Sequence, residues 1–132
     1  MGEEGVDLER SEASFQMVAT TDRTVTEALD RIEKDLGLTE QEVASALGVS
    51  TQVIERWRHR QATPDRETAQ RLDQLVALYH HLRETLAPEA VPGWLRWTPE
   101  YLGGITPADA IVRGQTDRVE ALLTVIDHGI FT

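Results

Sequence analysis

The chain has no cysteine among its 132 residues, which excludes disulfides and thiolate metal ligands and fits a reducing compartment. It has no apolar run long enough to span a bilayer. Met1 is followed by an acidic, glycine-containing segment instead of the basic start and apolar stretch of an export signal, so a cytoplasmic protein with no membrane partner is expected. Runs alternating apolar and polar residues are missing, which argues against strands. Basic charge is scarce: 13 Lys and Arg against 23 Asp and Glu leave −10, the wrong sign for a protein that simply coats nucleic acid. Gly103-Gly104 lacks the longer glycine pattern of a phosphate loop and no lysine follows it, so nothing points to nucleotide chemistry or to an enzyme. At this length one compact body is expected.

What is present is helical patterning, and its most informative stretch is Glu40 to His59, which reads as a helix-turn-helix. Val43 and Leu47 form an apolar stripe, Ala44 is small where two helices approach closely, and Gly48 sits where the chain must turn with positive φ. Ser50 caps a second helix whose Val49, Ile54 and Trp57 face inward. Thr51, Gln52, Glu55 and Arg56 then point outward, where a major groove would lie. Gln52 and Arg56 suit base edges, and Thr51, Arg58 and Arg60 suit phosphates, with His59 in the same basic cluster. Glu55 is awkward on such a face unless it accepts from a cytosine amino group or orients Arg56. The charge is uneven: residues 1–22 carry six acids against Arg10, net −5, and residues 23–62 carry seven acids against six bases, net −1. DNA binding would therefore be local and salt-sensitive.

Residues 1–22 have no sustained apolar period and read as a mobile acidic arm. A first helix is expected after Thr24, with Glu27 completing a capping box and Ala28, Leu29, Ile32 and Leu36 on one face, and Gly37 stopping it. Thr39 and Glu42 repeat the capping device before the motif. Thr63-Pro64 reads as the start of a long helix in which Leu72, Leu75, Val76, Tyr79, Leu82 and Leu86 form a stripe, either core or a dimer seam, before Pro88 ends it. Beyond it, prolines and glycines leave room only for short helices: one from Thr106-Pro107 to Gly114, and a last one capped by Thr116 with Val119, Leu122, Leu123 and Ile126 inward. The fold class is therefore all-α, a helix-turn-helix bundle over 23–87 joined by the long helix to a small helical module over 88–132.

That module carries an ordered series of marks: Trp94-Leu95, Pro99, Leu102-Gly103-Gly104, Thr106-Pro107, Asp109, Gly114, a Val-x-x-x-Leu helix and a final Gly-Ile-Phe. With the helix-turn-helix before it, the chain resembles the MbcA/ParS/Xre antitoxin family over residues 25–132. The segment Trp97-Thr98-Pro99-Glu100-Tyr101 departs from the Asn-Pro or Pro-Asn turn frequent in that family. The resemblance implies a type II toxin-antitoxin system whose toxin is a RES-domain, NAD⁺-consuming enzyme. It implies that the antitoxin's C-terminal end occludes the toxin's cofactor cleft, while the helix-turn-helix binds the operon's own promoter within a homodimeric, toxin-bound assembly. On this chain the toxin-binding residues would be Arg113, Arg118, Gly129, Ile130, Phe131 and Thr132. The alternative for Phe131 is that it folds back on Trp94 or Trp97 and closes the module's own core.

Competing chemistry is weak. His80-His81 are adjacent, so on a helix they point about 100° apart and do not share one metal ion. Asp109 and Asp117 sit near helix starts, where acids favour the macrodipole. The three tryptophans are core candidates, Trp57 foremost, and no cofactor or metal is expected. Two other functions fit the same residues: a transcription regulator with no toxin, and an interaction module whose helix-turn-helix no longer binds DNA.

Overall fold

A computed structural model describes residues 22–128. The expected tail Gly129–Thr132 and all of the expected arm except Asp22 lie outside the described residues. Among the described residues every regular element is a helix: α1 (Asp22–Leu36), α2 (Glu40–Leu47), α3 (Thr51–Arg58), α4 (Arg66–Thr85), α5 (Val91–Leu95), α6 (Pro107–Val112) and α7 (Thr116–Asp127). Short 3₁₀ turns at Pro88–Ala90 and Glu100–Leu102 link the pieces after α4.

The helix starts show which capping residues win. Thr39 and Glu42 form the expected reciprocal box, with Thr39 Oγ1 accepting from the Glu42 N–H at 3.0 Å and Glu42 Oε1 accepting from the Thr39 N–H at 2.9 Å. Thr106 and Asp109 make the same device at α6, with Pro107 in the first turn, and Ser50 accepts from the Val53 N–H at α3. Three expected starts move. α1 already begins at Asp22, so Thr24 lies inside the helix and lacks the extended backbone that a cap requires. At α4 the cap is Asp65, not Thr63; its carboxylate accepts from the Thr68 N–H at 2.8 Å and adds a negative charge where the macrodipole favours one. At α7 the cap position belongs to Gln115, and Thr116 is the first helical residue, buried.

One continuous apolar core joins all seven helices. The twenty residues of α4, about 30 Å long, form its spine, packed against α1 and α2 and also along α7. Leu72, Leu75, Tyr79 and Leu82 of the expected stripe are buried within the chain, and Val76 and Leu86 are half-buried. Leu78, which that single stripe does not include, is fully buried as well, because α4 is covered on two sides. Val25, Leu29, Ile32 and Leu36 of α1 meet Ile54 and Trp57 of α3 and Val91 and Leu95 of α5 in the same core. The last module thus shares its core with the first helices.

Candidate nucleic-acid and partner interface

α2 and α3 are joined by Gly48, Val49 and Ser50, and the geometry is set by the backbone of Gly48. At φ +76° it closes α2 in a Schellman turn, its N–H donating to the Ser45 carbonyl and the Val49 N–H to the Ala44 carbonyl. Ala44 is buried, as the close approach requires, and a Cβ on Gly48 would fall 2.2 Å from Arg71 Nη1. Arg71 reaches from α4 to donate to the Leu47 carbonyl at 3.3 Å, so a cation satisfies the end of α2.

Across the turn, Ile54 and Trp57 point inward, while Gln52, Glu55 and Arg56 are exposed on α3 and Thr51 is half-buried at its start. Gln52 and Arg56 make no side-chain hydrogen bond or ion pair among the described residues. The Glu55 carboxylate lies 3.6 Å from His59 Nε2, and its charge bears on Glu40 across the α2–α3 pair. Burial and the neighbouring Glu55 together push the Glu40 carboxyl above its ordinary value, against Arg58, which pulls it down. Oε2 of Glu40 is buried with no hydrogen-bond partner.

The structure separates Arg58 from the other residues of the outward face. Its guanidinium turns back to α1, bonding Asp30 at 2.5 Å and Glu33 at 2.8 Å, with Glu40 at 3.8 Å. Burial works against this charge, but the hydrogen bond to Asp30 and the charges of Glu33 and Asp30 outweigh it and hold the guanidinium protonated. Arg58 therefore fastens α3 to α1. Arg60 stays on the outside, in the left-handed conformation at φ 62°. Its N–H donates to the Trp57 carbonyl and that of Gln61 to Arg56, so α3 ends in the same turn as α2 but with arginine in the place glycine occupies there.

Of the residues expected at the second interface, Arg113 is exposed at the end of α6 and Arg118 donates to Gln115 Oε1 at 3.1 Å, bracing the α6–α7 turn. Gly129, Ile130, Phe131 and Thr132 are outside the described residues. Trp97 corrects the expectation that all three tryptophans are core: it and Tyr101 are each 45 % exposed, while Trp94 is half-buried with its ring 6.1 Å from that of Trp97. Two further clusters join distant parts of the chain. Arg96 grips Glu42 and the Gly37 carbonyl, and His81 sits between Glu120 and Asp127 of α7, which also accepts from Thr85. Neither is visible in local spacing.

No family model matches the chain. It is 32 % identical over 108 residues to the mycobacterial cidal antitoxin MbcA of Mycobacterium tuberculosis and of Mycobacterium bovis, covering 82 % of this chain and 92 % of the relative. A probable mycobacterial cidal antitoxin of M. tuberculosis is 32 % identical over 107 residues, covering 80 % and 90 %. Its structure is similar, with a TM-score of 0.63 and 29 % identity over 82 % of this chain and 97 % of the other, to a chain in the crystal structure of the M. tuberculosis MbcT–MbcA toxin–antitoxin complex.

Proposed function

Because the chain belongs to the family of the mycobacterial cidal antitoxin MbcA, we propose that it is the antitoxin of a toxin-antitoxin pair and restrains a toxin of MbcT's kind by binding it. The observation that carries this reading is the likeness over nearly the whole of a relative crystallised with its toxin. An antitoxin of this type acts by occupancy, not catalysis. The finer reading extends the resemblance of residues 93–132: the toxin is a RES-domain enzyme consuming NAD⁺, and the chain's C-terminal end covers its cofactor cleft. Arg113 and Arg118, around the Gly114 turn, would contact the toxin's polar surface, and Ile130-Phe131 supplies the apolar anchor. Its partners would be this toxin and the operator DNA, in a toxin-bound assembly built on an antitoxin homodimer, in the cytoplasm.

The front half suits a second duty. Gln52 and Arg56 are exposed, unpaired side chains on one helix, with Arg60 beyond its end, and this supports reading of the operon's own promoter. One observation favours the rival reading of a fold that no longer binds DNA: Arg58 is spent on Asp30 and Glu33, leaving fewer cations for phosphates.

Co-expression with the adjacent reading frame, following growth and cellular NAD⁺, tests the pair. Rescue by the full chain and its loss on deleting residues 129–132 is the expected result. Growth arrest unrelieved by the full chain contradicts the antitoxin reading, and rescue undiminished by the deletion contradicts the plug. Binding to upstream DNA at two salt concentrations, with Arg56→Ala as the variant, tests the second duty. Loss of promoter binding with toxin binding intact is expected, whereas absence of sequence-selective binding by the unaltered chain assigns the rival reading.

A further inference from the structure

In a chain of net charge −10, one cavity of about 310 Å³ is lined without a single acidic residue. It opens where α2, α4 and the α6–α7 turn converge, and its polar walls are Ser45, Arg71, Gln74, Arg113 and Thr116. Arg113 makes no ion pair or side-chain hydrogen bond among the described residues. Arg71 is tied to the Leu47 carbonyl and to Glu67, which is itself well exposed, so it stays in place at the cavity wall.

Thr116 marks the floor. It is the one buried polar residue among those described, 9 % exposed, and its hydroxyl has no hydrogen-bond partner among them. It also opens α7, a twelve-residue helix whose cap residue Gln115 makes no cap hydrogen bond and instead accepts from Arg118. The first N–H groups of α7 therefore have no side-chain cap, and the acid of its first turn, Asp117, is exposed and outside the cavity lining. At the neighbouring Gly114 a Cβ would meet nothing within 4 Å, so that side of the cavity is open. The unpartnered hydroxyl of a largely buried threonine at the cavity wall, a helix start without a side-chain cap and two guanidinium groups converge on a space large enough for a small tetrahedral oxyanion.

We propose that this cavity is a binding site for a phosphate group, free or carried by a small metabolite, at the seam between the first helices and the last module. Arg113 supplies the charge-assisted hydrogen bonds, Thr116 donates its hydroxyl, and Arg71 adds long-range attraction while keeping its own bonds. The site is independent of the toxin reading, although both use Arg113, and the test employs the intact chain without a toxin.

Backbone amide shifts are followed by NMR at fixed ionic strength during titration with inorganic phosphate and, separately, with ADP. Saturable shifts are expected at residues 114–117, about tenfold weaker in Arg113→Gln and severalfold weaker in Thr116→Val, with helical circular dichroism unchanged. ADP binding about tenfold tighter than inorganic phosphate assigns a carried phosphate, and ADP binding no tighter assigns the free ion. Absence of saturable shifts with both ligands, or affinity unchanged in Arg113→Gln, overturns the proposal.

Discussion

Arg96 binds both carboxylate oxygens of Glu42, at 2.8 and 2.9 Å, and with the same guanidinium donates to the Gly37 carbonyl at 2.9 Å. The same Oε1 of Glu42 also accepts from the Thr39 N–H, closing the capping box of α2. The last module thereby holds the residue that starts the first motif helix, and the φ of +73° at Gly37 presents its carbonyl to the same guanidinium.

This clasp predicts acid sensitivity with a defined window. The Arg96 hydrogen bond is the foremost cause holding the Glu42 carboxyl at about 2, below its ordinary 4.5, with the Thr39 N–H assisting. Because the folded value is depressed, the stabilisation is complete above pH 4.5 and is lost as pH falls towards 2. Both side chains are partly exposed, so screening limits the effect to about 1–2 kcal/mol. Urea denaturation of the native chain and of Arg96→Met should differ by that amount at pH 6 and converge near pH 2. A difference that persists unchanged at the acid end contradicts the clasp.

His81 predicts the opposite slope. Glu120 and Asp127 take its two ring nitrogens at 2.5 and 2.6 Å; the Glu120 hydrogen bond is the main cause raising its pKa, against burial, with Asp127 assisting. A raised folded value means that this link between α4 and α7 is fully stabilising below the ordinary 6.5 and weakens as pH rises through the folded value. Thermal melts from pH 6 to pH 9 should fall by several degrees in the native chain and stay nearly flat in His81→Asn. Parallel curves would remove His81 as the titrating group.

Glu40 predicts a gain from removing a charge. Burial first, then the neighbouring Glu55, raise its carboxyl above 4.5 against the pull of Arg58, and Oε2 is buried without a hydrogen-bond partner, so at neutral pH the ionised form is the less favourable one in the folded chain. Glu40→Gln keeps the shape and deletes the repulsion. It should raise the melting temperature at pH 7 and lose that advantage as pH falls below the ordinary 4.5, where the native carboxyl is protonated in both states. A lower melting temperature at pH 7 would mean that its attraction to Arg58, 3.8 Å away, outweighs the rest.

How much of this was legible follows from the range of each interaction. The capping boxes at Thr39 and Thr106, the left-handed Gly48 and the inward Ile54 and Trp57 depend on residues within four positions of one another, and local spacing reveals them. Asp65, two residues after Thr63, takes the cap instead because its extended backbone and carboxylate meet the Thr68 N–H where the helix actually starts. Arg58 reads in sequence as part of a basic cluster for phosphates, but its acids are 28 and 25 residues away on α1, and only packing of α3 against α1 brings them together. The same holds for Arg96 with Glu42 and His81 with Glu120, where separations of 54 and 39 residues leave no periodic trace. The setting of Thr116 is hidden for a related reason: in sequence it is an ordinary cap candidate, and only the fold buries most of the residue beside the cavity.

Arg60 separates stability from function at the end of α3. Its φ of 62° puts a side-chain-bearing residue in a conformation where Gly48 and Gly114 serve the equivalent turns. Left-handed geometry costs about 1 kcal/mol for such a residue, and no side-chain hydrogen bond or ion pair among the described residues offsets it. Arg60→Gly removes that strain and should stabilise the chain by up to about 1 kcal/mol in urea denaturation, whereas Gly48→Ala, forced against Arg71, should destabilise it by at least as much. If Arg60 is kept for its charge beside Arg56, the stabilised variant should bind promoter DNA more weakly and show a shallower salt dependence, by about one phosphate contact. A variant that is more stable and binds DNA with the original salt slope would show that strain at this turn serves some other end.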